Sequence, residues 1–204
     1  MKFSSTKVLV GTAALVALAT ITSFIKLFSF PTGGSITLCS MLFVALIGYF
    51  YSWKVGLCGA LCYGLLQFVI KPEFYTPLQV IIDYALAFGT MGLSGVLCGV
   101  KTDDSRERRH DDMERRGMSL TNLRLWGPGF WRLISSYMIA VVCRFVFATI
   151  SGYVFWGEYA WEGWNPLLYS AAYNAIYIFS EAFVTVAVLC LPAVRKAIEK
   201  VREL

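Results

Sequence analysis

The chain has 204 residues, of which 57% are hydrophobic and only 15% charged, with a mean hydropathy of +0.62. A soluble domain carries roughly 25% charged residues, so this sequence is too apolar for a single water-facing core and predicts an α-helical protein that crosses a membrane several times. The net charge of +5 follows from topology, as argued below, and gives no reason to expect nucleic acid as a partner.

Six apolar segments approach the ~20 residues needed to cross the hydrocarbon layer: about 7–28, 35–51, 54–71, 77–100, 129–152 and 166–192. They are continuously apolar, without the out/in alternation of membrane strands. The first follows the basic stretch "MKFSSTK" and contains "ALA" at 17–19, as a signal peptide would. Its apolar pattern runs on through "ITSFIKLFSF", longer than a signal h-region, so it is read as a retained span. The whole chain, 1–204, is read as one six-helix domain, with no linker, low-complexity tract or internal repeat.

Basic residues fix the orientation. Lys2, Lys7, Lys54, the group from Lys101 to Arg132, and Arg195, Lys196, Lys200 and Arg202 all map to one side, fifteen of the eighteen in the chain. The positive-inside rule places that side, and with it both termini, in the cytoplasm. The one hydrophilic block, at 101–128, is then a solvated cytoplasmic loop, with Trp126 and Trp131 suited to the headgroup level. The loops at 29–35, 71–77 and 153–166 face outward and carry Glu73, Glu158 and Glu162, an acidic, aromatic surface that attracts cations. The six cysteines are scattered through the spans without metal-ligand spacing, and are read as small packing residues.

Three ionisable residues interrupt the spans: Asp83, Arg144 and Glu181. Charges at membrane depth cost at least ~2.5–3.5 kcal/mol and turn inward to partners or ligands. On that rule Arg144 pairs with Glu181 as a structural link, and Asp83 is left without a basic partner, to be completed by a bound cation or by protonation. Along the last span, Tyr169, Tyr173 and Tyr177 recur every four residues, with Asn174 and Glu181 on the same stripe. Such a stripe is either an interfacial aromatic belt or one wall of a pocket. The buried amide of Asn174 favours a pocket for a flat, cationic, hydrogen-bonding molecule, with rings for stacking and cation–π attraction and Asp83 and Asn174 for direction.

Four stretches, "FPTGGSITL" (30–38), "DYALAFGTMGLSG" (83–95), "RFVFATISGYVFWGEYA" (144–160) and "WNPLLYSAAYN" (164–174), resemble the thiamine-specific S components of energy-coupling factor (ECF) vitamin transporters. The resemblance covers most of the chain outside the cytoplasmic loop. It implies a six-helix all-α membrane fold with both termini cytoplasmic and a thiamine pocket near the extracellular side. Within that pocket it implies that Asp83 binds the aminopyrimidine beside Tyr84, and that Trp156, Tyr169 and Asn174 line the wall. Gly152 keeps the wall thin, and Tyr63 and Tyr75 are looser candidates. Two positions depart from the pattern. Ala148 stands where the family usually has His, and Asp83 where it commonly has Glu, so one ligand hydrogen bond is lost and one carboxylate is shortened.

Such S components resemble receptors that pass their solute to a transmembrane coupling subunit driven by two ATPase subunits, together an ECF-type ABC importer in the cell membrane of a Gram-positive-type bacterium. This chain has no phosphate-binding loop and no cofactor of its own, so ATP belongs to the partners. Ala13 and Ala17 form a small-xxx-small pair, which matches the family's contact with the coupling subunit and also suits packing inside the bundle. Other functions stay open: a receptor for a different thiamine-like or aromatic cationic compound, a stand-alone secondary transporter, or an assembly protein whose tyrosines only pack. An enzyme is not expected. "GLSG" at 92–95 matches the G-x-S-G of rhomboid proteases, but the only histidine, His110, lies in the cytoplasmic loop, far from Ser94. Asp103, Asp104, Asp111 and Asp112 alternate with arginines in that same loop, which reads as a solvated charge mixture.

Overall fold

The computed structural model describes residues 5–30, 34–70, 72, 76–96 and 128–203. Seven longer helical elements, a single 3-10 turn at Gly157–Tyr159 and one small hairpin occur among them. Helix α1 (Ser5–Phe24) leads into a hairpin of β1 (Lys26–Ser29) and β2 (Ser35–Thr37). Then come α2 (Ser40–Phe50) and α3 (Trp53–Ile70), a composite helix α4 from Pro77 to Gly95, α5 (Pro128–Phe155), α6 (Pro166–Leu189) and α7 (Pro192–Glu203). Five of them are long and apolar enough to cross a membrane, and α2 is a sixth, shorter apolar helix. The predicted helical membrane fold is therefore present.

The hairpin corrects the predicted first two spans. Residues 26–29 extend the apolar run of α1, but they form a strand, pairing antiparallel with β2 in the register Phe28 with Ile36 and Ser29 with Ser35. The second span is helical only from Ser40 to Phe50. Its 11 residues rise only about 16 Å at ~1.5 Å each, short of the ~30 Å hydrocarbon layer. This is tolerated because α2 is the central helix, with Val44, Ala45 and Ile47 essentially inaccessible. Non-helical backbone at membrane depth is viable only when protein covers it.

Between hairpin and helix, Cys39 adopts a left-handed conformation (φ 60°), rare for a side chain of this kind. It supplies no side-chain cap to α2. The cap comes from Glu181 of α6 instead. Its Oε1 accepts from the Ser40 hydroxyl at 2.9 Å and the Met41 N–H at 3.1 Å, and its Oε2 from the Thr37 N–H at 3.3 Å. The positive end of a helix dipole stabilises an anion placed there. The predicted Arg144–Glu181 ion pair is absent, because backbone and hydroxyl donors have taken the carboxylate.

The remaining spans follow their small and capping residues. Helix α3 turns Tyr63 inward together with Gly56, Gly59, Ala60 and Gly64, the last four being small groups that let α2 and α4 approach closely. Helix α4 extends to Gly95; residues 97–100 of the predicted span lie outside the described residues, as does most of the cytoplasmic loop. Asn165 caps α6, its Oδ1 accepting from the Leu167 N–H at 2.9 Å, with Pro166 at the first helical position. The predicted last span ends at Leu189, where Arg195 of α7 folds back. Its Nε donates to Leu189 O at 2.8 Å and its Nη2 to Cys190 O at 3.2 Å, satisfying terminal carbonyls of α6. The guanidinium also lies 3.8 Å from the centre of the Phe130 ring.

Cysteines behave only partly as predicted. Cys39 is buried, but Cys58 and Cys62 are exposed on α3, where they present small, weakly polar groups on a lipid-facing surface.

Candidate functional site

At the end of the bundle roofed by the hairpin and the 157–165 connection lies a cavity of about 260 Å³, a volume suited to a small two-ring molecule. Its walls come from α3, α4, α5 and α6.

The α4 wall owes its shape to a π-helical stretch, Ile81–Leu86, in which the Ala87 N–H bonds to Ile82 O, five residues back. Single π turns inside α-helices are frequent at functional sites because they re-aim side chains. Here the stretch carries Asp83 and Tyr84 into the cavity lining. Asp83 Oδ2 accepts a hydrogen bond from Gln79 Nε2 at 3.3 Å. Gly64 makes this possible from behind, since a Cβ there would collide with the Tyr84 carbonyl.

Across from Asp83 stand the rings of α6. Tyr169 stacks on Tyr173 with centroids 6.1 Å apart, and Tyr173 meets Tyr177 at 6.0 Å. Tyr173 also contacts Phe30 of the hairpin at 5.6 Å. Trp156 and Tyr159, 5.5 Å apart, line the upper rim. Asn174 is buried at 6% exposure between Tyr173 and Tyr177. At the floor Tyr63 is 2% exposed and meets Phe88 at 5.2 Å.

Arg144 is one of four charged side chains of the lining, with Lys26, Asp83 and Glu181. Its guanidinium lies 4.1 Å from the centre of Phe88, and no carboxylate among the described residues is within salt-bridge reach of it. The cavity therefore holds an acidic pole at Asp83, a guanidinium held on a ring at Arg144, and an aromatic wall between rim and floor. That arrangement can hold a flat aromatic cation bearing hydrogen-bonding groups. It offers no hydrolytic machinery. Ser94 is 1% exposed and its hydroxyl donates to Ala45 O at 2.6 Å, so the G-x-S-G match is a helix-packing feature. No cluster of metal-ligating side chains occurs among the described residues.

A family model described as "Thiamine transporter protein (Thia_YuaJ)" matches residues 9–200. The chain belongs to that family. It is 30% identical over 164 residues to the thiamine transporter ThiT of Bacillus subtilis (strain 168), covering 80% of this chain and 77% of that one. Its fold is similar to the solved structure of ThiT from Listeria monocytogenes, with a TM-score of 0.71 over 94% of this chain and 96% of the other at 24% identity. Members of the thiamine transporter family matched here are transporters by description, in keeping with the expectation that this chain is not an enzyme.

Within this member of the family, the cavity lining brings together Asp83, Tyr84, Tyr63, Ala148, Gly152, Trp156, Tyr169 and Asn174. Tyr75 lies outside the described residues. At Gly152 a Cβ would strike the Ser170 hydroxyl. Ala148 contributes a methyl to the wall, and its carbonyl accepts from Asn174 Nδ2 at 3.3 Å. Ala13 and Ala17 are exposed on the outer face of α1, which removes internal packing as their role. Sequence reasoning missed Gln79, Phe88 and Tyr159. Gln79 was findable, since it precedes Asp83 by four residues and so shares its helical face; Phe88 and Tyr159 carry no signal apart from the many other aromatics.

Proposed function

We propose that this chain is the thiamine-binding S component of an ECF-type ABC importer, which captures thiamine outside the cell membrane and delivers it through a coupling subunit driven by two ATPase subunits. The observation that carries the reading is Asp83, aimed by a π turn into a cavity whose opposite wall is a row of tyrosines. Thiamine presents an aminopyrimidine to such a carboxylate and a thiazolium to such rings. Family membership supports the vitamin class, and the exposed Ala13–Ala17 face supports docking to a coupling subunit. The two bacilli whose proteins it matches support a Gram-positive-type host.

The test is a fluorescence titration of the purified protein with thiamine in the absence of ATP, in which a ligand beside Trp156 changes the emission. Asp83→Asn is expected to weaken binding roughly ten- to a hundredfold, the cost of losing a charge-assisted hydrogen bond. No thiamine binding by the unaltered protein, or full affinity in the Asp83→Asn variant, overturns the reading.

A second reading rests on one observation. The methyl of Ala148 and the short Asp83 side chain leave room on neighbouring walls, which fits a thiamine-like compound carrying an added group. Calorimetric comparison of thiamine, its phosphates and its separate ring halves distinguishes the two.

A further inference from the structure

Asn174 belongs to a hydrogen-bond network whose direction is fixed throughout. Its Nδ2 donates to Ser170 O at 2.8 Å and Ala148 O at 3.3 Å. Both are backbone carbonyls, which only accept, so the amide cannot be turned the other way without setting oxygen against oxygen. The Ser170 hydroxyl donates to Thr149 O at 2.8 Å, so its oxygen is an acceptor for Asn174 Nδ2 at 3.3 Å. The Tyr177 hydroxyl then donates to Asn174 Oδ1 at 2.6 Å, and its proton is committed.

Every polar hydrogen of this set is therefore spent inside the wall. What remains toward the cavity are lone pairs, on Asn174 Oδ1 and on the Tyr177 oxygen. Opposite them, Asp83 accepts from Gln79. We propose that the Ser170–Asn174–Tyr177 network makes its own patch of the cavity wall an acceptor-only surface, which selects ligands by requiring a donor-bearing edge at that patch. Ser170 and Tyr177 are positioning residues that set the polarity of Asn174. The inference rests on the thiamine reading and sharpens it: the 4′-amino group of the pyrimidine satisfies such a wall, whereas a 4′-oxo group confronts it with a further acceptor.

The test compares the affinities of the whole protein for thiamine and for its 4′-oxo analogue. A site that hydrogen-bonds one substituent rejects the analogue lacking it strongly, so the unaltered protein is expected to prefer thiamine by at least about a hundredfold. In Tyr177→Phe the amide loses the anchor on its oxygen, can rotate away from an opposing acceptor, and the preference is expected to fall by about tenfold or more. Ser170→Ala is expected to shift the ratio in the same direction, and it decides alone if Tyr177→Phe does not fold. A merely structural role for either residue weakens both ligands equally and leaves the ratio unchanged. Equal affinities in the unaltered protein, or an unchanged ratio in the variants, overturn the inference while leaving thiamine binding intact. Failure to bind either compound overturns the receptor reading beneath it.

Discussion

The three charges in the spans are handled in three ways. Glu181 is satisfied by donors at the start of α2, Arg144 lies on the Phe88 ring, and Asp83 is left for the cavity with one amide contact. Glu181 is therefore a structural residue, although it sits in the cavity lining. Replacing it with Gln turns an NH₂ group toward N–H and O–H donors. This is expected to cost roughly 1.5–3 kcal/mol, the range for hydrogen bonds to a charged group. A lowered thermal midpoint of the detergent-solubilised protein is the check, and an unaltered midpoint would show that α2 does not depend on this cap. The sequence made all three charges visible as inward-facing. It could not reveal the partner of Glu181, because that partner is a pair of backbone N–H groups together with a serine hydroxyl, and backbone donors exist at every position.

At the level of elements, the π stretch and the small residue behind it form one device. The Tyr84 carbonyl occupies the space where any side chain at position 64 would lie. Gly64→Val is therefore expected to displace the π stretch and with it Asp83, weakening thiamine binding by about tenfold or more. The overpacking cost is about 1–3 kcal/mol, detectable in the same fluorescence titration, whereas Ala at the exposed Leu65 one residue later serves as a control. Neither the π turn nor the hairpin was legible in the sequence. A helix with one extra residue per turn keeps an apolar composition, and periodicity over six residues does not distinguish it from an α-helix. The strand at Lys26–Ser29 was hidden for a related reason. "IKLFSF" continues the hydrophobic run of α1, and short apolar runs fit strand and helix alike. What the sequence did make legible were the long helices, because their length and lack of charge leave few alternatives, and the α6 stripe, because a four-residue recurrence of tyrosine has a plain geometric meaning.

For the whole molecule, the cavity and the exposed face of α1 are separate surfaces. The cavity is lined mainly by α3 to α6 and the hairpin, with Ser23 of α1 and Ser40 of α2, whereas Ala13 and Ala17 lie on the outside of α1, among exposed Leu9, Val10, Leu18 and Ile21. Ala17→Trp is thus expected to abolish vitamin uptake by cells while leaving the affinity of the isolated receptor within about threefold, as for surface changes away from packed features. Normal uptake in that variant would exclude this face as the contact with a coupling subunit. One feature of the outer end also bears on how fast a ligand can arrive. Trp161 and Trp164 are largely exposed and 5.3 Å apart. Trp161 touches Tyr169 at 5.5 Å, and from there the rings step inward to Tyr173 and Tyr177 at 6.1 and 6.0 Å. A cation is attracted to such a ring when it lies within ~6 Å of the ring centre. A positively charged solute entering here would meet one ring after another on its way to the cavity.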